Sequence, residues 1–363
     1  MHSKKNTKVK ASDLRRFLGK LCAKTGISGS DAACLVDGLI ETSLRGVDSH
    51  GIRLMPHYLR AVASGRVNSA AKPFFKRTGP SAGVLDACHG FGIPAGLAAM
   101  DKAIAMAKAT GVGAVAVKNS SHFGAAAIFT LHAARKNMIG FACTHSDSLV
   151  FPHGGGRIFL GTNPVCFAAP CAGPNPFVLD MATSRISWNK LREHRARNAK
   201  LGSALAADRR GVACTDPHTA VGLLPAAEYK GYGLGLVVEV LCSTLTEMLA
   251  GPQISRMFPV DGQRRRLGHF FLVIDIKRFT DVNKFRARLS ALLQALRSVP
   301  PAPGVRKVQV AGDPEWHCHA ERTRRGIPLS IEEIEELRGV AASLKIDIGP
   351  FRWLSIRSRF RSN

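Results

Sequence analysis

The chain has 363 residues, 45% of them apolar, which is long enough for two separate cores and too apolar for a disordered chain. Lysine and arginine number 51 against 26 aspartates and glutamates, a formal net charge of +25 that draws in anions of any kind: nucleic acid, an acidic membrane, or small phosphorylated and carboxylated ligands. With only three tryptophans and three tyrosines the chain lacks the stacking surface of a single-strand binder, so the charge is read as a basic surface and nucleic acid is not an expected partner.

The opening, MHSKKNTKVK, is charged and no apolar core follows it, so no secretory signal is expected. Apolar residues recur at helical spacing over 12–23 and again over 31–44, where Ser28 and Asp31 stand at capping-box spacing. Residues 84–87 read as a short strand and 95–109 as a helix. The run GVGAVAV contains a buried strand over 112–117, the alanine-rich stretch 125–136 reads as a helix, and 139–143 as another strand. Such alternation argues for an α/β fold. From 151 to 176 glycines, prolines and short apolar runs suggest strands joined by tight loops. A helix is expected over 233–249. The longest apolar run, 232–245, is interrupted by Glu239 and too short to span a bilayer, so a cytoplasmic protein without a membrane partner is expected. Residues 270–276 read as a strand, 282–296 as an amphipathic helix and PPAP at 300–303 as a stiff connector. Ser330 and Glu333 repeat the capping-box spacing before a last helix ending near Leu344, and the closing GPFRWLSIRSRFRSN reads as a frayed or partner-bound tail. The nine cysteines form no C-x-x-C pair, and most sit in apolar runs, as Cys88, Cys143 and Cys166 do, which fits buried reduced thiols.

A glycine fingerprint after a strand, the first mark of a nucleotide enzyme, fails here. In HGFGIPAG, residues 89–96, the third glycine is one residue late and Pro94 interrupts the turn, and GYGLG at 231–235 follows no strand. Both are read as packing or turn glycines. No metal site is expected, because His317, Cys318 and His319 are closely spaced ligands without identifiable distant partners. What remains is a set of polar residues at element boundaries: Asp48-Ser49-His50, Ser121-His122 and His145-Ser146-Asp147. A single buried histidine is usually a satisfied core residue, but three such groups together point to a site. If the strands ending near Val117 and Cys143 are parallel neighbours, His122 and Asp147 share one crevice. A carboxylate beside an imidazole fixes its tautomer and stabilises the imidazolium, while a helix N-terminus behind the ring favours the neutral form. The resulting group suits proton transfer to a carbonyl oxygen as hydride arrives.

In their order, DSHGIRLMPHYL, NSSHFGAAAIF, HSDSLVFPHGG, GTNPVCFAAP, VLDMATS, KGYGL, LGHFFLVID and ERTRRGIPL closely resemble the malate/L-lactate dehydrogenase family, which is distinct from the Rossmann-fold lactate and malate dehydrogenases. That family includes ureidoglycolate and sulfolactate dehydrogenases, diketogulonate reductase and piperideine-carboxylate reductase, and the likeness covers about residues 12–344. It implies a homodimer with a non-Rossmann α/β fold. A nicotinamide-binding domain, residues 117–262, is inserted into a domain built from both chain ends, residues 1–116 and 263–345, with 346–363 a basic tail. Carried over by motif, His122 is the catalytic acid/base with Asp147 its partner, and His50 competes for the proton-donor role. Ser49, Arg53 and Tyr58 fall in the substrate pocket, Arg53 as a bidentate carboxylate clamp. Ser146, Asp180, Met181, Ala182, Lys230, Gly268, His269 and Phe270 fall at cofactor contacts, with Thr162 and Asn163 in a nearby loop. Lys190 matches a lysine that members usually carry. The chain departs from the family at LGSALAADRRGVACTDP, where members carry a tryptophan and a proline, and in the arginine- and histidine-rich stretch 185–197.

The function expected is an NAD(P)-dependent oxidoreductase interconverting a small 2-hydroxy acid and its 2-oxo acid, with NAD or NADP as cofactor and a small anionic substrate. Two alternatives stand beside it: reduction of a cyclic imine carboxylate, and a drifted, inactive relative acting as a basic binding protein.

Overall fold

The computed structural model describes residues 6–355. In chain order it runs β1 (Thr7–Val9), α1 (Ala11–Lys24), α2 (Gly29–Leu44), α3 (Met55–Ala63), β2 (Phe74–Arg77), β3 (Ala82–Asp86), α4 (Gly92–Thr110), β4 (Val112–Ser120), α5 (Ala127–Ala134), β5 (Ile139–Thr144), β6 (Val165–Ala169) and β7 (Phe177–Met181). Then come α6 (Trp188–Ala196), the short strands β8 (Ala206–Ala207), β9 (Ala213–Cys214) and β10 (Gly222–Leu223), α7 (Tyr229–Glu239), β11 (Leu267–Ile274), α8 (Val282–Arg297), α9 (Asp313–Arg325), β12 (Ile327–Leu329) and α10 (Ile331–Ser343).

Two cores carry the structure. In α1 the apolar residues Leu14, Phe17, Leu18 and Leu21 fall on one face at helical spacing and are fully buried. Each contributes roughly 1.5–3 kcal/mol of burial. They pack with α2, α3 and, from the far end of the chain, Ile334 and Leu337 of α10, while β1 pairs antiparallel with β12. Both chain ends therefore build one helical unit. Ser330 and Glu333 close a full capping box on α10, and Ser28 caps α2 through the Asp31 amide.

The second core lies on one face of a seven-stranded sheet ordered β2-β3-β4-β11-β5-β6-β7, covered by α4 and α5. Only the β3–β4 pair is parallel. Here the structure corrects an expectation: β4 and β5 are not neighbours, because β11 lies between them and runs antiparallel to both. The reason is in β11 itself, whose Phe271 and Val273 reach the α4–α5 core while Phe270, Leu272 and Ile274 are half-buried on the other face, as a central strand requires. The ends of β4 and β5 still open on the same edge, one strand apart. The boundary expected at 116/117 falls inside β4, and the single sheet includes strands from both sides of it.

The helix expected over 233–249 begins earlier, at Tyr229, and passes after Glu239 into a π-helical turn, Val240–Thr244. The basic stretch after Arg185 forms α6, capped by Ser187. All nine cysteines are free thiols; Cys143 and Cys166 are buried and Cys88 half-buried. Among the described residues no helix is long and apolar enough to cross a membrane. The closing tail lies partly outside the described residues, beyond Ser355.

Candidate active site

The helical unit and the sheet face one another across a cleft of about 1960 Å³. Its floor is the segment from His122 to Ile128, where β4 hands over to α5. Ser121 fixes that junction: its hydroxyl donates to the Gly90 carbonyl at 2.9 Å and accepts from the Gly92 amide at 3.1 Å. Gly92 has no Cβ for a steric reason, since one there would stand 2.5 Å from the Ser121 carbonyl oxygen and 2.6 Å from that of His122. Gly124 turns the chain at φ +73°. The glycines that fail as a dinucleotide fingerprint thus bring the start of α4 against the histidine loop.

His122 is half-buried on the cleft wall. Its Nδ1 lies 2.8 Å from the Tyr58 hydroxyl and also receives the Gly124 amide at 3.4 Å. An amide can only donate, so Nδ1 is an acceptor and the neutral ring carries its proton on Nε2, the nitrogen left to the cleft. Desolvation, then the charges of His50, Arg265, His57 and His269, hold the imidazole well below the usual histidine range. His50 stacks on it with ring centroids 5.6 Å apart. The Ser49 hydroxyl lies 2.8 Å from His50 Nδ1, and burial with the nearby Arg53 brings His50 down to about 4. The turn carrying Ser49 and His50 is held by Arg322 of α9, which forks onto both oxygens of Asp48 at 2.5 and 2.9 Å.

Asp147 lines the same cleft but does not pair with His122. Its Oδ1 accepts from Arg265 Nη2 and its Oδ2 from the Met257 amide at 3.3 Å. The expected imidazole–carboxylate contact is thus replaced by a carboxylate–guanidinium pair, because the 255–265 segment folds over Asp147. Arg53 is also engaged, its Nη2 standing 3.1 Å from Glu333 Oε1, which offsets the free charge expected of a carboxylate clamp. Tyr58 is buried behind His122 and does not line the cleft.

Of the residues matched to cofactor contacts, Ser146, Thr162, Asp180, Met181 and Ala182 line the cleft. Asp180 accepts the Ala127 amide at the start of α5, and crowding by the cleft walls raises its carboxyl. Asn163 is buried as a bracket, holding the Ser146 amide at 3.2 Å and binding Gly235 and Glu239. Gly268, His269 and Phe270 sit in the body of β11, flanked by β4 and β5, and none of them lines the cleft. Lys190 and Lys230 are exposed and do not line the cleft.

Two residues escape the sequence reading. Arg265 is 3% exposed, lines the cleft and keeps a buried Nη1 with no partner among the described residues. Arg45 is 4% exposed, lies 4.4 Å over the Trp316 ring beside Asp180 and likewise has an unpartnered Nη1. A buried guanidinium edge without an acceptor on a cleft wall is suited to an anion. The only sequence signals were Arg45 three residues ahead of Asp48 and the RRR run around Arg265, which could meet a cofactor 2′-phosphate but reads more simply as solvated surface.

A family model described as malate/L-lactate dehydrogenase matches residues 9–338. The malate dehydrogenase of Pyrococcus abyssi is 33% identical over 344 residues, covering 92% of this chain and 94% of that protein. The NAD(+) ureidoglycolate dehydrogenase of Escherichia coli K12 is 34% identical over 305 residues, 84% of this chain and 87% of its own length. The crystal structure of malate dehydrogenase from Entamoeba histolytica is similar with a TM-score of 0.90 at 28% identity, covering 95% of this chain and all (100%) of that one.

Proposed function

The chain belongs to the malate/L-lactate dehydrogenase family, and from that premise we propose that it interconverts a small 2-hydroxy acid and its 2-oxo acid as an NAD(P)-dependent oxidoreductase, with His122 moving the oxygen-bound proton. The observation that carries this reading is the His122 ring: Nδ1 occupied from behind, Nε2 left to a cleft that Arg45 and Arg265 also line.

A nicotinamide cofactor, when bound, supplies or accepts the hydride at the substrate carbon. The chain's own contacts suit such a group, since Arg45 Nη1 is a buried donor awaiting an acceptor such as a phosphate, beside Asp180 as a hydroxyl acceptor. In reduction the protonated His122 ring gives the proton on Nε2 to the carbonyl oxygen and keeps the one on Nδ1; in oxidation the ring with Nδ1 protonated and Nε2 bare takes it back. Arg265, on the cleft wall with its Nη2 on Asp147, supplies the positive charge that draws the substrate carboxylate and so orients the carbon to be reduced. The substrate's negative charge next to His122 favours the imidazolium and lifts its depressed pKa toward neutrality, so acid and base forms are both within reach in the complex. His50 is the alternative proton donor, held by Ser49 on the opposite face of the His122 ring.

Two copies of the chain form the working unit in this reading. The residues Leu236, Val237, Val240 and Leu245, on and after α7, are exposed, and the second face of the sheet leaves Phe141, Phe167 and Phe270 half-covered, which supports burial against a second copy. The cleft lies between the unit built from both chain ends and the sheet, the arrangement that a cofactor domain inserted between two terminal segments provides.

The test is oxidation of NADH and of NADPH with oxaloacetate, pyruvate and piperideine-2-carboxylate, read as loss of reduced-nicotinamide absorbance. Turnover of a 2-oxo acid is expected. Turnover of the imine alone assigns a cyclic imine reductase, and no turnover with salt-sensitive nucleic-acid binding assigns a basic binding protein.

A further inference from the structure

A histidine that moves a proton needs something to hold its second nitrogen, and the residue in contact with that nitrogen here is Tyr58. Its hydroxyl lies 2.8 Å from His122 Nδ1, the side chain is 1% exposed, and its ring is packed among Phe91, His57 and His122. No other hydrogen-bond partner reaches that hydroxyl among the described residues, so its one bond is to the imidazole. Asp147, the acidic residue on the same wall, has both oxygens engaged, by Arg265 and by the Met257 amide. The remaining ionisable neighbours of the ring are His50 stacked on its face, His57 on α3, Arg265 beyond Tyr58 and His269 behind it on β11, and none of these is a carboxylate.

We propose that Tyr58 is the positioning residue for His122, donating to Nδ1 in the resting neutral ring and accepting from Nδ1–H both in the protonated ring and in the neutral ring left after the Nε2 proton has gone, so that Nε2 faces the cleft in every state. A hydroxyl can hold Nδ1 with or without a proton because it is donor and acceptor at once, whereas a carboxylate, an acceptor only, holds Nδ1 only when that nitrogen carries a proton. When the imidazolium gives its Nε2 proton to a substrate oxygen, the N–H electron pair remains on Nε2 and Nδ1 keeps its own proton, bonded to the phenol oxygen. The phenol stays protonated throughout, since burial pushes its pKa up. The cost of using a neutral partner is that the imidazolium gains no counter-charge, which agrees with a ring that rests neutral.

The inference rests on the oxidoreductase reading only for where the proton goes; the Tyr58–His122 bond is tested without turnover. In protein carrying ¹⁵N-labelled histidine, with the His122 signals assigned by their loss in His122→Ala, the wild type should show the Nε2–H tautomer near neutral pH. Tyr58→Phe should keep the fold, mix the two tautomers and lower the His122 titration midpoint by about half to one pH unit, because the protonated ring loses the stronger of the two bonds. If a substrate is in hand, the same variant should lose about tenfold in kcat with KM within about twofold. Asp147→Asn should leave the tautomer unchanged. An Nδ1–H tautomer in the wild type overturns the proposal without need of any variant. So does a Tyr58→Phe spectrum identical to the wild type, or a tautomer that responds to Asp147→Asn instead. Absence of turnover with every 2-oxo acid, together with the Nε2–H tautomer, would fail the functional reading and leave the Tyr58–His122 pair standing.

Discussion

Two groups of histidines lie on either side of the β4–β11–β5 edge, one half-buried and one fully buried, and they differ in one further respect. In front, His50 and His122 form the cleft wall, each with one ring nitrogen held and the other left to the cleft. Behind, His269 is bonded through both nitrogens, to Ser120 at 2.8 Å and Thr144 at 2.7 Å, and His145 Nε2 accepts the Gly268 amide while its Nδ1, closed off from the cleft 3.6 Å from Glu239, makes no hydrogen bond among the described residues. Burial depresses His122 and His269 alike, the latter to about 3, so depression does not separate chemistry from structure. Saturation does. A histidine with both nitrogens occupied inside a sheet has nothing left to offer a ligand, whereas one occupied nitrogen and one facing a cleft is the arrangement of an acid–base group.

The largest effect that would break this comparison is at His122. His122→Ala should cost at least about 10³-fold in kcat while cofactor binding, measured by quenching of protein fluorescence or by calorimetry, stays within a few-fold. Retained turnover would transfer the role to His50. Next comes Arg265, where Arg265→Met removes the positive charge from the cleft wall and leaves Asp147 without its partner. A loss of about 10²-fold in kcat/KM, mostly in the KM of the anionic substrate, is expected, with about 3–5 kcal/mol of stability lost through the orphaned carboxylate. The double variant Arg265→Met, Asp147→Asn should recover much of the stability and none of the substrate affinity, which separates the two functions of the guanidinium.

How much of this was legible beforehand follows from the range of each interaction. The α/β alternation, the strand-to-helix junction at His122 and the capping box at Ser330 are local, and the sequence states them directly. The insertion of β11 between β4 and β5 is a pairing across more than a hundred residues, which no local period encodes. That pairing places Gly268, His269 and Phe270 inside the sheet, away from the cleft, although the GHF motif reads as a contact. The surroundings of the arginines were not legible for a related reason. Arg265 sits in a run that looks solvated and Arg53 after a motif that looks like a clamp, but whether a guanidinium is free depends on which carboxylate the fold brings to it. Asp147 reaches the first and Glu333 the second.

The pH profile sharpens the comparison by tenfold per unit. His122 rests below the usual histidine range, so in free enzyme the base form dominates at neutrality. The kcat/KM for oxidation of a 2-hydroxy acid should be flat above a midpoint lying under 6.5 and fall below it. For reduction of the 2-oxo acid it should fall tenfold per unit above the same midpoint. A midpoint above 7 in both directions would mean that a carboxylate, not Tyr58, faces the ring.

The smallest effect on turnover belongs to the rear group. His269→Gln should change kcat by less than about threefold and lower stability at pH 7 by about 1–2 kcal/mol, since one of two hydrogen bonds is lost and the stack on Phe123, 4.7 Å away, is weakened. Its signature is in acid. His269 is fully buried and kept neutral to about pH 3, while in the unfolded chain it protonates near 6.5. Because the folded value is the lower one, the wild type is penalised only below 6.5, by about 1.4 kcal/mol for each further unit, and glutamine carries no such penalty. Denaturation curves of the two proteins should therefore converge between about pH 5 and 6, where the accumulated penalty matches the hydrogen bond that glutamine lacks. A gap that stays constant from pH 7 to 5 would mean that His269 already shares its proton within the sheet, and the line drawn between saturated and open histidines would then have to be moved.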